Sequence, residues 1–247
     1  MLTFLNQLIL PFIMQIILKR NYSTLLEEYE KRKHAIKRRL KDFQTFYHKP
    51  VVWEYKNKIM HLIPSAKTDD ERLFEELSFC ILTANGTAET GMNCINKIRD
   101  ILMKATSRKI QKRLIGSCRF HNRAEYIVHN REFLKKKYNF KLKQLIEKFN
   151  NKQELRDFLV VNIKGFGYKE SSHFLRNIGF KGYAILDMHI ISSMKEFSII
   201  SNIPKTITPR KYLELEQSYL NWAKEIGIDS DELDLLLWGR RTGRILK

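Results

Sequence analysis

Two short segments combine residue types that could do chemistry at a sugar carbon. The first is Ile163-Lys164-Gly165-Phe166-Gly167-Tyr168-Lys169, and the second is Leu186-Asp187-Met188-His189. Two glycines around one apolar residue allow a tight turn whose N–H groups can approach a phosphate. A helix that starts at this turn adds the positive end of its dipole, which also favours an anion. The first segment is therefore a candidate anchor for a DNA backbone.

Lys169 is the candidate nucleophile. An amine attacks only when neutral, and both the helix N-terminus and nearby Lys164 disfavour a second positive charge. Asp187 could stabilise the positive charge that develops on a deoxyribose as its base departs, or it could move protons. Attack at C1′ would give a Schiff base, which permits elimination of the 3′ phosphate. Taken singly, Lys169 also fits a surface lysine, and Asp187 also fits the N-cap of a helix beginning near Met188.

These residues resemble the helix–hairpin–helix DNA glycosylases, the superfamily that contains endonuclease III. The family hairpin usually reads Leu-Pro-Gly-aliphatic-Gly, and here Lys164 stands where proline is common. The resemblance implies that Lys164, Gly165 and Gly167 bind the DNA backbone, with Lys169 as Schiff-base lysine and Asp187 as the family's aspartate. Because monofunctional relatives lack the lysine, it also implies a bifunctional glycosylase/lyase. The implied fold is all-α, with two helical subdomains flanking a cleft.

The resemblance also sets the expected domain organisation. A glycosylase domain is expected over residues 21–247, with the helix–hairpin–helix and catalytic segment at about residues 152–195. Residues 1–20 form an apolar extension, which fits a signal peptide poorly and is too short and broken for a membrane span. Either Met14 is the true translation start, or the extension is an additional docking segment.

The charge of the chain agrees with a nucleic-acid partner. The formal net charge is +18, and basic residues recur along most of the sequence. An extended anionic partner explains this distribution better than a small anionic substrate does. The solvated surface of a heat-adapted or basic proteome is the alternative explanation. We expect a monomer in the cytoplasm, associated with the nucleoid, that binds double-stranded DNA and no membrane.

The three cysteines, Cys80, Cys94 and Cys118, lie apart and form no Cys-x-x-Cys pair. We therefore expect neither a disulfide framework nor a zinc site, and a reducing cytoplasm is the default. Endonuclease III and many relatives hold an iron–sulfur cluster with four closely spaced cysteines near the C-terminus. The C-terminal third of this chain has no cysteine, which points toward the 8-oxoguanine branches. No cofactor is expected, although a monovalent cation could bind at the hairpin.

The C-terminus narrows the resemblance further. The segment from Asp231 to Trp238, followed by Gly239-Arg240-Arg241-Thr242-Gly243 and ending at Lys247, resembles the second, mainly archaeal family of 8-oxoguanine glycosylases. That resemblance implies that the terminal lysine helps to separate 8-oxoguanine from guanine. 8-Oxoguanine carries a donor at N7, and the terminal carboxylate of Lys247 could accept its proton. A frayed basic tail is the alternative.

Further residues are candidates for holding the flipped base and the opposite strand. His173 lies one helical turn beyond Lys169 and could stack on the base, with Trp222 or Trp238 as the opposite wall; each of the three also fits an ordinary core residue. Two loops resemble the family's minor-groove loops. Asn85 would fill the gap left by the extruded nucleotide and Arg123 would read the opposite base. A helix stop at Asn85 and a surface arginine at 123 are the alternatives.

The remaining pattern is helical, with short loops and recognisable starts. A capping box is predicted at Thr68–Glu71, and N-caps are predicted at Thr87, Asn122, Thr208 and Ser230. Residues 49–60 could be extended, but no convincing sheet is predicted.

Two other functions remain open at this stage. An endonuclease III-like lyase for oxidised pyrimidines would use the same lysine with a different base pocket. A non-catalytic helix–hairpin–helix module would bind DNA in a salt-dependent manner without forming any covalent intermediate.

Overall fold

The computed structural model describes the backbone of residues 2–247 and the side chains of residues 22–247. The predicted apolar extension, residues 1–20, therefore lies outside the residues whose side chains are described. The all-α prediction is confirmed, since the described chain is helical apart from one small hairpin. In chain order the elements are α1 Leu2–His48, β1 Val51–Lys56, β2 Ile59–Pro64, α2 Asp69–Thr83, α3 Ala88–Ile98, α4 Ser107–Leu114, a 3₁₀ turn His121–Arg123, α5 Ala124–Tyr138, α6 Leu142–Glu147, α7 Lys152–Asn162, α8 Tyr168–Asn177, α9 Met188–Glu196, α10 Pro209–Ile226 and α11 Ser230–Thr242.

The chain divides into two compact units. The first unit comprises Met1–Arg38 and Leu186–Ile245, and the second comprises Arg39–Ile185 together with Leu246–Lys247. In the first unit, α9 and α10 pack against α11. Among the residues whose structure is described, no helix combines the length and apolarity that crossing a membrane requires.

Helix α2 is the central element of the second unit. Its residues 72–83 are all buried, and it packs against α3, α5, α6 and α8. The predicted capping box starts it: Thr68 Oγ1 accepts the N–H of Glu71 at 3.3 Å, and Glu71 Oε2 accepts the N–H of Thr68 at 2.9 Å. Since residues 72–83 of α2 are surrounded by protein, any charged side chain among them needs a partner inside the fold.

The other predicted caps divide into two groups. Thr87 and Thr208 cap α3 and α10 as predicted. The caps at Ser230 and Asn122 were wrong. Asp229 accepts the first N–H groups of α11, so the carboxylate one residue earlier displaces the hydroxyl of Ser230. Asn122 lies inside the 3₁₀ turn, and α5 starts without a side-chain cap.

The hairpin of β1 and β2 is an addition to the predicted fold. The two strands pair in antiparallel register from Val51 opposite Pro64 to Lys56 opposite Ile59. Asn57 and Lys58 form the turn with φ of 51° and 63°, the left-handed pair that two-residue hairpins need. Lysine at the second turn position is not the usual Asn-Gly signal, which explains why the sequence predicted an extended segment without a partner.

The cysteines require a correction. We expected no disulfide, but the structure joins Cys94 of α3 to Cys118 in the loop before the 3₁₀ turn, with Cα atoms 6.0 Å apart. Cys80 is free and buried. Sequence spacing does not report this proximity, because the pairing depends on how α3 packs against the α4 segment. Among the described residues, no group of three His, Cys, Asp or Glu side chains could hold a metal ion.

Gly91 of α3 is predicted to be indispensable for the packing of α3 on α2. A Cβ at this position would overlap Thr83 Oγ1 and lie 2.9 Å from Phe79 Cε2. We expect Gly91→Ala to lower the free energy of unfolding by about 1–3 kcal/mol through overpacking, although alanine is the better helix former. Urea denaturation measures the change. The double variant with Thr83→Ala should recover part of the loss, and a stabilised Gly91→Ala protein would contradict the packing.

Candidate active site

The predicted hairpin connects α7 to α8 in the second unit. Gly165 adopts φ of 91°, a conformation that glycine tolerates and side chains rarely adopt. The N–H of Phe166 donates to the carbonyl of Ile163 at 3.1 Å and closes the turn, and the Phe166 ring is buried. Among the described residues, the N–H of Gly165 has no hydrogen-bond partner. The hairpin therefore presents a free backbone donor beside the start of α8, as a phosphate anchor requires.

Lys169 lies in the first turn of α8, and its side chain is 24% exposed. Its Nζ lies 3.5 Å from Glu170 Oε1. The other carboxylate oxygen of Glu170 accepts the N–H of Gly167 at 3.3 Å. Glu170 therefore caps the helix and pairs with the lysine at once. This differs from the expectation from sequence, which considered only the positive helix start and Lys164 as charged neighbours of Lys169.

His173 and Lys247, predicted as base-recognition residues, lie together beside Lys169 in the second unit. Lys247 Nζ pairs with Glu76 Oε2 at 2.5 Å and lies 3.8 Å from the centre of the Phe79 ring. The ring of Phe79 also meets His173 edge-on at 5.9 Å. The side chain of Lys247 is 0% exposed and that of Glu76 is 3% exposed. The predicted basic tail is therefore not frayed: its last side chain is a buried cation with a buried counter-charge.

Burial sets the charge states in this cluster. It lowers the pKa of His173 well below its ordinary value, and the charges of Arg176, Lys169 and Lys247 lower it further. His173 is consequently a neutral imidazole at physiological pH. Burial also lowers the pKa of Lys247, while the carboxylate of Glu76 opposes that shift. Glu76 thus supplies the counter-charge for the buried amine of Lys247, and His173 beside it stays uncharged.

Asp187 lies in the first unit, at the start of α9. Its Oδ1 accepts the N–H groups of His189 at 2.8 Å and Ile190 at 2.9 Å, which makes it the N-cap. Its Oδ2 has no partner among the described residues, and the side chain is only half-buried. The two interpretations of Asp187 are therefore compatible, because capping fixes the carboxylate through one oxygen and leaves the other for chemistry.

The two predicted minor-groove loops are joined within the second unit. Asn85 is exposed at the tip of the loop after α2, with φ of 59°. Arg123 Nη1 donates to the carbonyls of Ile81 at 2.9 Å and Ala84 at 2.6 Å, and its guanidinium lies 4.2 Å from the Phe120 ring. Arg123 thus braces the loop that presents Asn85. Its predicted contact with the opposite base stays a prediction.

The two tryptophans proposed as walls of the base pocket have different surroundings in the first unit. Trp222 is 1% exposed and packs against Phe197, with ring centres 5.3 Å apart, so it is a core residue there. Trp238 on α11 is only half-buried, and its ring meets the ring of His189 edge-on at 6.3 Å. Of the two, Trp238 has the setting that a stacking residue needs.

Two carboxylates of the second unit escaped the analysis of the sequence. Glu76 stands within the apolar run of α2, and a charge at such a position was the available signal that a buried partner exists. Glu170 stands three residues after Gly167, which is capping-box spacing. That spacing indicates the N–H of Gly167 as the partner of Glu170, but no local signal indicates the partner of Glu76, because Lys247 is distant from it in the sequence.

The glycine turn, the lysine in the first turn of the following helix and the aspartate N-cap define a helix–hairpin–helix DNA glycosylase. The family model described as 8-oxoguanine DNA glycosylase matches residues 56–228. The 8-oxoguanine DNA glycosylase/AP lyase of Methanocaldococcus jannaschii is 40% identical over 217 residues, covering 87% of this chain and 93% of the relative. A protein of the same name from Fusobacterium nucleatum is 34% identical over 235 residues, covering 93% and 99%.

A solved structure agrees. The crystal structure of the M. jannaschii 8-oxoguanine glycosylase/lyase in complex with a 15mer DNA containing 8-oxoguanine matches with a TM-score of 0.74 and 38% identity, covering 91% of this chain and 100% of that one. The chain belongs to the 8-oxoguanine DNA glycosylase family.

The ion pair between Glu76 and Lys247 leads to a test of whether Glu76 holds the Lys247 side chain in its buried position. In Glu76→Gln the ammonium loses its counter-charge, so we expect the terminal residue to leave its pocket, with a stability loss of about 3 kcal/mol or less. Carboxypeptidase B should then release Lys247 rapidly, whereas the unaltered protein resists it. Glu75→Gln is the matched control, because Glu75 is also buried on α2 but pairs with Lys67 and Arg99. Equal digestion of all three proteins would contradict the buried anchor.

Proposed function

We propose that this protein is a bifunctional 8-oxoguanine DNA glycosylase/AP lyase that acts in base-excision repair. The observation that carries the proposal is Lys169 in the first turn of α8, directly after the Gly165–Gly167 turn, in a family whose matched relatives bear that name. The net charge of +18 supports a duplex DNA partner. Because chromosomal DNA is the substrate, we place the enzyme in the cytoplasm, associated with the nucleoid.

In this proposal the hairpin holds the DNA backbone through Lys164 and the N–H of Gly165, with the positive end of α8 behind them. Gly167 shapes the turn, and its N–H stays bonded to Glu170. Lys169 lies two residues past the turn, so a phosphate on the hairpin brings the neighbouring sugar within its reach. Before it attacks, Lys169 must leave its ion pair with Glu170 and lose a proton. Glu170 remains the cap of α8 and keeps the helix start in place.

The chemistry assigns the nucleophilic role to Lys169 and the electrostatic role to Asp187. The Nζ–C1′ bond forms and the glycosidic bond breaks, with its electrons going to the base, which takes up a proton. The free Oδ2 of Asp187 stabilises the positive charge on the sugar or accepts a proton. Ring opening, in which the ring oxygen takes up a proton that Nζ loses, gives a Schiff base on Lys169. β-Elimination then removes a C2′ proton and breaks the C3′–O bond, so that the 3′ phosphate leaves. These reaction steps need no redox cofactor. That the protein holds no iron–sulfur cluster stays a prediction, and so does the binding of a monovalent cation at the hairpin.

The chain end supplies the discrimination between bases. The side chain of Lys247 is buried, with its Nζ against Glu76 and the Phe79 ring, and this supports a fixed position for the α-carboxylate of the same residue. A carboxylate accepts the N7 proton of 8-oxoguanine but meets a lone pair in guanine, which leaves a polar group unpaired. Neutral His173 offers a flat uncharged ring to the base.

Borohydride trapping tests the mechanism. A duplex with one 8-oxoguanine opposite cytosine should give a covalent adduct with the unaltered protein and none with Lys169→Gln, because only an amine forms the reducible Schiff base. A thymine-glycol duplex runs alongside. An adduct with thymine glycol alone would move the substrate to oxidised pyrimidines. No adduct with either duplex, despite retained DNA binding, would leave a binding module or a monofunctional enzyme.

Adding one glycine after Lys247 tests the role of the chain end separately. The terminal carboxylate then moves by one residue, and we expect excision of 8-oxoguanine to slow about 10–100-fold, the value of one charged hydrogen bond. Strand cleavage at a preformed abasic site needs no base recognition and should change less than about threefold. Denaturing gels measure the two rates, and alkali treatment before loading cleaves the strand wherever the base has been excised. Equal slowing of both reactions would remove the chain end from base recognition.

A further inference from the structure

The hairpin is held by a residue outside its own two helices. Asn130 lies on α5, is 0% exposed, and bonds to both backbone groups of Lys164. Its Nδ2 donates to the Lys164 carbonyl at 2.9 Å, and its Oδ1 accepts the Lys164 N–H at 2.8 Å. An exchange of the two amide atoms would set donor against donor and acceptor against acceptor, so this orientation is fixed by its partners.

A second side chain of α5 supports the same turn. Tyr126 lies four residues before Asn130, hence on the same face of the helix. A Cβ on Gly165 would come within 2.7 Å of Tyr126 Cδ2, so the ring fits closely under the turn. Lys164 Nζ lies 5.3 Å from the centre of that ring. Two residues of α5, Tyr126 and Asn130, therefore contact the hairpin backbone and restrict its conformation.

The same helix begins at the brace of the minor-groove loops. Arg123 immediately precedes α5 and bonds to the carbonyls of Ile81 and Ala84 next to Asn85. One rigid helix of 1.5 Å rise per residue thus connects the base of the Asn85 loop to the phosphate-binding turn. In the second unit, α5 and the residue before it therefore contact both the loop that carries Asn85 and the hairpin.

We propose that Asn130 is a positioning residue for DNA binding, which holds the hairpin in its phosphate-binding conformation before DNA arrives. A side-chain amide suits the task because it pairs with an N–H and a C=O of one residue, as a strand partner does. The inference rests on the proposed function, since it assumes that the hairpin contacts a DNA phosphate. Pre-shaping the turn saves the cost of ordering it upon binding.

We expect Asn130→Ala to lower the affinity for DNA while leaving the single-turnover rate at saturating DNA nearly unchanged. In the Lys169→Gln background, which binds without turnover, we expect about tenfold weaker binding to the 8-oxoguanine duplex, because two hairpin backbone groups lose their partner. The slope of log K against log salt should become shallower by about 0.9, the loss of one phosphate contact. With Lys169 present and DNA saturating, the single-turnover rate should stay within about threefold.

Asn162→Ala is the matched control. Asn162 also lies beside the hairpin, but its Nδ2 donates to the Phe158 carbonyl within α7. We expect the parent affinity and salt slope from it. A folded Asn130→Ala protein with unchanged affinity and slope would overturn the proposal. A lower single-turnover rate at saturating DNA with unchanged affinity would also overturn the proposal, because Asn130 would then act on α8 and not on the hairpin.

Hydrogen exchange on the unaltered protein tests the bonds between Asn130 and the Lys164 backbone without DNA. It remains informative if the Asn130→Ala protein does not fold. The amide of Lys164 should exchange slowly in the free protein, because its bond to Asn130 is already formed, while the amide of Gly165 should exchange fast. Fast exchange of both amides overturns the pre-formed anchor. This result does not depend on catalysis, so it stands apart from borohydride trapping, whose failure would instead remove the proposed lyase function.

Discussion

The second unit depends on one buried charge. Glu76 sits on a helix that is enclosed on all sides, and a carboxylate there must be compensated within the protein. Two groups do this: Lys247 supplies the counter-charge, and Asn177 Nδ2 donates to the other carboxylate oxygen at 2.7 Å. The charge thereby ties the central helix to α8 and to the chain end. A pair of this kind contributes little net stability, but losing either partner is costly, so its effect is to specify position.

Helix α8 places three side chains of different chemistry on one face. Lys169, His173 and Asn177 follow at intervals of four residues, which places the proposed nucleophile, a neutral imidazole and the amide that bonds Glu76 along a single stripe. The electrostatics along this stripe are graded. Glu170 balances the lysine at the exposed end, burial keeps the histidine neutral in the middle, and Glu76 balances Lys247 at the buried end. A short helix thus carries a partly exposed ion pair, Lys169–Glu170, in its first turn, and contacts the buried Glu76–Lys247 pair through Asn177 at its last residue.

Much of the site could be predicted from the sequence because its signals are local. The glycine turn, Lys169, the N-cap at Asp187 and the exposed tip at Asn85 each depend on a few consecutive residues, whose backbone preferences are strong. The contacts that fix them were not predicted. Asn130 holds Lys164, Arg123 braces the Asn85 loop, and Cys94 joins Cys118, each across a sequence gap that no periodicity reveals. The same holds for β1 and β2, whose turn lacks the usual glycine.

The sequence by itself determined the class of fold, the glycine turn before α8, the place of Lys169 in the first turn of that helix and the strongly basic net charge, because these follow from residue type and near-neighbour spacing. Only the tertiary structure decided that Lys247 is buried and paired, that Trp222 belongs to a core, and that Arg123 holds two carbonyls. The physical reason is desolvation. Whether a lysine is a frayed tail or a fixed anchor, or an arginine a reader or a brace, depends on which distant groups replace the water around it.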